Sequence, residues 1–258
     1  GEEKLLNHYL DLLIAWSTRI IRARYQQSIL GGLWAILQPL ATVLIFTVVF
    51  SYLIKVDTGN IPYIIFSYTA MVPWLFFSSA ITDMVDSIVQ NMNLVRKIYF
   101  FREILVFSAL IARFVDFLIA FTILILLIVL YRLPIHLPTW LFLPVILICQ
   151  ILLALGIGLF ASALNAFFRD IKHVFTLLMQ LWLYSTPIIY PVTLVPENLR
   201  NLYYLNPMVG IIEGYRAILL HGTLPADSFI FSIVISLLVF VCGYIFFKKV
   251  EVQFADII

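Results

Sequence analysis

Charge is what this sequence has least of: 12% of its 258 residues are Asp, Glu, Lys or Arg, against 63% that are hydrophobic. A soluble core of this length cannot enclose that much apolar surface, which excludes an ordinary water-soluble domain and makes the chain an integral membrane protein. Cysteine is nearly missing. Cys149 and Cys242 stand in apolar runs without metal-ligand spacing, as packing residues do and disulfide or ligand pairs do not. The four histidines, His8, His136, His173 and His221, fall in separate segments and support neither a zinc helix nor a His-based triad. None of the 10 glycines opens a G-x-x-x-x-G-K-[ST] loop, so no P-loop binding of ATP is expected. Carboxylates within the apolar runs come down to Asp116, too few for a usual proton-coupled carrier. No internal repeat is visible.

What is present is a series of long apolar runs. A crossing helix needs about 20 residues, and runs of that order lie at 34–54, 62–82, 106–130, 140–163, 174–190 and 229–247. The expectation is an all-α bundle of six transmembrane helices forming a single domain over 1–258. It comprises an interface helix within 1–33, the six-span bundle over 34–247 and a cytoplasmic tail at 248–258. The first run follows a charged helix-like segment rather than a cleavable signal, so the amino end is expected to stay attached. The net charge of +2 says less than its placement. Lys4, Arg19, Arg22, Arg24, Arg96, Lys97, Arg102, Arg169, Lys172, Lys248 and Lys249 fall on one side, Lys55, Arg132, Arg200 and Arg216 on the other. This bias places both termini in the cytoplasm. Trp34, Trp74, Tyr131 and Trp140 lie near span ends, where interfacial aromatics belong.

The joints have structure of their own. In residues 3–24, Leu5, Leu6, Tyr9, Leu12, Leu13, Trp16 and Ile20 recur at helical spacing, giving an amphipathic helix for the cytoplasmic interface, as a lipid anchor or as a surface that also meets a partner. Gly31 and Gly32 stand where the chain must turn into the first span. In the joint at 83–105, a short helix would align Leu94, Ile98 and Phe101, with Arg96, Lys97 and Arg102 around them. Tyr99, Phe100 and Phe101 suit a partner protein or the headgroup layer equally.

On the outer side, Pro196 and Glu197 open one short helix, and Asn206–Pro207 is a cap followed by proline at the first helical position. The second helix has Met208, Ile211, Ile212, Tyr215, Ile218 and Leu219 on its apolar face, Glu213 and Arg216 off it, and Gly222 as its stop. Two short re-entrant helices over 191–228 are expected, of the kind that close a pathway. Arg113 and Asp116 share a face of the third span. They form a self-neutralising or snorkelling pair, or else face a translocation path. Ala154, Gly158 and Ser162 make a helix-packing stripe.

The blocks RYQQSILGGLWAILQP at 24–39, NLVRKIYFFREIL at 93–105, LNAFFRDIKHVFTLLMQLWLYSTPIIYP at 164–191 and LNPMVGIIEGYRAILLHG at 205–222 together resemble the permease subunits of ABC-2 type exporters. The resemblance is greatest to the branch that exports O antigen, capsule or teichoic acid, and it runs in order along nearly the whole chain. Phe101 departs from it, standing where many such permeases have proline. The resemblance implies a homodimer in the cytoplasmic (inner) membrane with two separate nucleotide-binding subunits. ATP and Mg are bound by those subunits, so this chain has no cofactor of its own and is not an enzyme.

The resemblance also implies roles for particular residues. Asn91, Leu94, Arg96, Lys97, Tyr99 and Arg102 would belong to the main coupling helix, and Phe168, Arg169 and Asp170 to a second ATPase contact. Pro196, Tyr203, Tyr204, Pro207 and Tyr215 would belong to the outer gate. Tyr184, Tyr190 and Trp182 are candidates to line a channel, because aromatic faces stack on sugar rings. The implied cargo is a lipid-linked polysaccharide, with membrane lipid around the protein and no nucleic acid partner. Two other readings stand: an ABC-2 exporter of a drug, lipid or peptide, and a multi-span enzyme acting on lipid-linked sugars, or a scaffold without transport activity.

Overall fold

The computed structural model describes residues 1–256, which fold as helices and connecting turns without a strand among them. Helix α1 (Glu2–Gln26) carries Glu2 and Glu3 in its first turn and Arg24 in its last, complementing the helix dipole. It lies along α5. Tyr9, Leu12, Leu13, Trp16 and Ile20 are half-buried, whereas Leu6, Leu10 and Ile14 form an exposed stripe. Gly31 then turns the chain at φ +52°, a left-handed conformation that favours glycine, and α2 (Trp34–Phe46) continues as a π-helical segment through Leu53.

At the centre is α3 (Tyr63–Gln90), buried along most of its length and flanked by α5 (Glu103–Leu130) and α7 (Leu143–Phe167). The apolar run suggested an end near residue 82, but Ile81, Met84, Val85 and Ile88 are all buried. They continue the helical stripe for two further turns. Asp83 and Asp86 therefore sit on a packed helix rather than in a joint. Short α4 (Met92–Lys97) follows. A four-residue turn, α6 (Leu137–Trp140), precedes α7, and α11 (Ser228–Val250) packs against α7 before a 3-10 turn at Glu251–Asp256. At the α7–α11 crossing, a Cβ on Gly156 would come within 2.6 Å of the Val239 and Phe240 backbone, while Gly243 lies against the Gly156 backbone. Small residues here let the two helices touch directly.

Among the described residues, five helical segments are long and apolar enough to cross a membrane: Gly31–Leu53, Tyr63–Gln90, Glu103–Leu130, Leu137–Phe167 and Ser228–Asp256. The run at 174–190 differs. Its helix, α8 (Ile171–Tyr184), has 14 residues, about 21 Å at 1.5 Å per residue. It ends at Tyr184, three residues before Pro187, a spacing at which proline marks a helix stop. Beyond it lie α9 (Glu197–Tyr203) and α10 (Pro207–Arg216), the latter extended by a π turn to His221. Trp74, placed at an interface by its position in the sequence, is 3% exposed and packs on Phe77 and Trp182. It belongs to the core.

Candidate functional site

Three groups of side chains stand out along the bundle. At the end where α3 gives way to α4, Asn91 donates its side-chain amide to the Ser87 carbonyl at 2.8 Å, closing α3, while its own carbonyl accepts from Leu94 and Val95 as α4 begins. Sequence spacing put Leu94, Ile98 and Phe101 on one stripe. In the structure Val95 is the buried anchor, and Ile98 lies beyond the helix end, exposed. Tyr99 is 92% exposed, and Arg96 and Lys97 lie on the same short segment. Phe168, Arg169 and Asp170 form an exposed turn between α7 and α8. Asn165 holds that turn, donating to the Val85 carbonyl at 3.1 Å and accepting from the Lys172 backbone N–H at 3.2 Å. Arg102 is not part of the exposed surface. It is 8% exposed and donates to the Glu251 carbonyl, so its role is internal.

Further along, four charges from three helices meet. Arg113 binds Asp83 through Nε at 2.5 Å and through Nη2 at 3.3 Å, with Asp116 at 3.5 Å. Arg24 reaches Asp116 at 2.9 Å and Asp83 at 3.3 Å. The Tyr25 hydroxyl also donates to Asp116, and burial together with that bond pushes its pKa up to about 12. Sequence reasoning found only the pair on α5, because Arg24 and Asp83 lie 59 residues apart and each read as an ordinary interfacial charge. The cluster is neutral as a set and joins α1 to the core. Beside it, a cavity of about 540 Å³ is lined by Arg19, Arg24, Asp83, Asp86, Arg113 and Lys172, among others.

At the opposite end, Asn206 caps α10 by accepting from the Met208 N–H at 3.0 Å and also accepts from Trp182 Nε1 at 2.7 Å. Its amide donates to the Ser185 carbonyl and to Thr186 Oγ1. One capping residue thus fixes α10 to the end of α8. Tyr190 and Tyr203 share a hydroxyl hydrogen bond of 2.5 Å, and Tyr190 also donates to the Tyr184 carbonyl at 3.0 Å. Burial and the Tyr190 bond raise the Tyr203 pKa above its ordinary value. Pro196 precedes the first turn of α9, and Pro207 opens α10. Tyr204 is half-buried at the end of α9. Tyr215 is buried and donates to Gln150 Oε1 at 2.7 Å, while Gln150 donates to the Pro73 carbonyl at 2.7 Å, tying α10 to α7 and α3.

One sequence-based placement changes here. Arg216, assigned to the polar side of α10, is 1% exposed and donates to the carbonyls of Phe66, Pro187 and Ile188. It was missed because a cation beside Glu213 reads as solvated. Trp182, a candidate channel residue, is half-buried, packing edge-on against Phe77 with centroids 5.2 Å apart while another part of it lines a cavity of about 620 Å³ with Phe160, Phe175 and Val239. Tyr184 is exposed, as a lining residue must be. Among the described residues, no group of three His, Cys, Asp or Glu side chains is arranged to hold a metal.

Residues 11–220 match the ABC-2 type transporter family, and the chain belongs to that family, whose members are multi-pass membrane subunits of ABC transporters. It is 28% identical over 254 residues to the O-antigen export system permease protein RfbA of Klebsiella pneumoniae, covering 98% of this chain and 97% of that protein. It is 30% identical over 224 residues to the protein of the same name from Myxococcus xanthus, covering 85% and 84%. Similarity to the polysialic acid transport protein KpsM of Escherichia coli is 27% over 208 residues, 79% of each chain.

Proposed function

We propose that this chain is the permease subunit of an ATP-driven exporter that moves a lipid-linked polysaccharide across the cytoplasmic membrane. The observation that carries the reading is the nearly full-length similarity to a permease named for O-antigen export. Two copies form the pathway, since one bundle with a buried central helix leaves little room for a polymer, and a two-fold pair creates a passage on its axis. Each copy crosses six times with both termini in the cytoplasm, the short α8 and the residues to Pro191 making the fifth passage. The exposed Ile98–Tyr99 edge and the Phe168–Asp170 turn receive two separate nucleotide-binding subunits, which bind ATP and Mg. Apolar side chains so exposed suit a protein partner. ATP binding closes the partners, the docked elements move as rigid bodies, and the α9–α10 gate opens toward the far side.

The test is co-expression with an ABC ATPase carrying a carbohydrate-binding extension, followed by purification and ATPase assay in lipid nanodiscs. Lipid-linked glycan should stimulate hydrolysis. A complex that forms but responds only to small amphipathic drugs would instead support the drug or lipid exporter. A permease that turns over a lipid-linked sugar alone would be the membrane enzyme.

A further inference from the structure

The last described residues, read from sequence as a simple tail, form the point at which four elements meet. The 3-10 turn at Glu251–Asp256 packs on α4, α7 and α11. Phe254 is fully buried, with its ring 5.9 Å from Phe167 and 5.6 Å from Phe247. Arg102, just before α5, donates to the Glu251 carbonyl, and its guanidinium lies 6.0 Å from the Phe254 ring centre. Lys248, at the end of α11, binds the buried Glu103 at 2.8 Å and Glu251 at 3.1 Å, with the Phe101 ring 5.9 Å from its ammonium. Phe101 in turn meets Tyr9 of α1 at 5.2 Å.

The pattern has a direction. Phe167 is the residue immediately before the exposed Phe168–Asp170 turn, and Arg102 is three residues after the exposed Tyr99. The turn therefore holds the roots of both exposed elements and leaves their tips free. A bare connection after α11 would need neither a fully buried aromatic nor a buried cation aimed at its backbone.

We infer that the turn at Glu251–Asp256 is a clamp, with Phe254 as its positioning residue, that joins α4 and the Phe168–Asp170 turn into one mechanical body and connects that body to α11. The inference rests on the proposal that both elements meet the ATPase. Two contacts that moved independently would each dissipate part of the partner's closure. Held by one keystone, they transmit it together, and α11 carries it along α7 into the bundle. Phe254 itself touches neither ATP nor cargo.

Rigidity is measured first, without any partner. Nitroxide labels at Asn93→Cys on α4 and His173→Cys on α8, in a chain with Cys149 and Cys242 replaced by alanine and diluted with unlabelled copies, report their separation in nanodiscs. The intact clamp should give a single narrow distribution. Phe254→Ala should broaden it about twofold or more, as loss of local packing loosens a cooperative unit, and Phe254→Tyr should restore it. If Phe254→Ala does not accumulate, Phe254→Leu carries the same test with smaller broadening. A distribution as narrow in the variant as in the native sequence overturns the clamp.

The second measurement uses the complex with the ATPase. With the ATPase still bound, glycan exported per ATP hydrolysed should fall by roughly an order of magnitude in Phe254→Ala, within the range that mutations in a coupled network produce. An unchanged ratio overturns the role in coupling. Should the chain with native Phe254 fail to bind any ABC ATPase, the docking proposal itself is wrong, and the coupling role falls with it whatever the label distances are.

Discussion

Arg216 lies with its guanidinium carbon 3.6 Å from the centre of the Phe66 ring and donates two hydrogen bonds to the carbonyl of that same residue, at 3.2 and 3.1 Å. The rest of the fork reaches the Pro187 and Ile188 carbonyls and Glu213. A planar, five-donor group suits this task, in which one side chain satisfies α3, the segment after α8, and α10 at once.

Replacing Arg216 by alanine should therefore cost about 3–5 kcal/mol, because buried carbonyls and a carboxylate lose their partner. Arg216→Lys should recover only part of this, as one ammonium cannot span the same acceptors. Thermal unfolding in detergent micelles measures the order. A lysine variant as stable as the native chain would show that charge, rather than the fork, is what the site requires.

The Arg24–Asp83–Arg113–Asp116 set leads to a different ranking. Its side chains retain 20–30% of their exposure, so Arg113→Gln should cost about 1–3 kcal/mol, less than breaking a fully buried pair. Lys172, half exposed beside Asp86, should cost no more than about 1 kcal/mol as alanine. Equal effects in the same unfolding assay would mean that the cluster contributes no more than a surface pair.

How far these sites could be read in advance depended on how local they are. Gly31, the Asn206–Pro207 helix start and the Gly222 stop were legible, because the chemistry that fixes each lies within a few residues; Gly222 indeed adopts φ +64°. The end of α3 was not, since Asp83 interrupts hydropathy without interrupting helical packing. Once α3 runs to Gln90, Asp83 faces α5, and a pair on one helix becomes a network of three. Arg216 and Arg102 were misjudged for a related reason. Charge counts assign a cation to water, whereas each of these donates to backbone carbonyls of the segment after α8 or of the terminal turn. The Phe254 contacts with Phe167 and Arg102 join residues far apart in sequence, and no local spacing announces them.

The glycines of α7 should separate two kinds of close approach. Gly156→Ala drives a methyl into the Val239–Phe240 backbone of α11, which cannot yield without parting the helices. Gly158→Ala meets the Met84 side chain first, at Sδ and Cε, the far end of a flexible chain that can shift, with the Met84 Cβ at 3.0 Å. The first should cost about 1–3 kcal/mol or more and the second distinctly less, measured as the yield of folded protein and its unfolding midpoint. The reverse order would contradict the packing described for this crossing.

The two tyrosines proposed for the pathway should behave differently from one another. Tyr190 holds the region by its hydroxyl, bonded to Tyr203 and to the Tyr184 carbonyl, whereas Tyr184 presents its ring to open space. One hydrogen bond is worth about 1 kcal/mol net, about a fivefold change in a two-state equilibrium. Tyr190→Phe should therefore raise the open fraction of the gate severalfold, seen as faster dye-reported proton leak in proteoliposomes, and Tyr203→Phe should do so less because it removes one bond rather than two. Tyr184→Ala should leave the leak unchanged and lower glycan export, since it deletes a stacking surface and no closure contact. A leak unaffected by Tyr190→Phe would make that hydroxyl pair a packing detail, and export unaffected by Tyr184→Ala, with the complex intact, would remove Tyr184 from the channel wall.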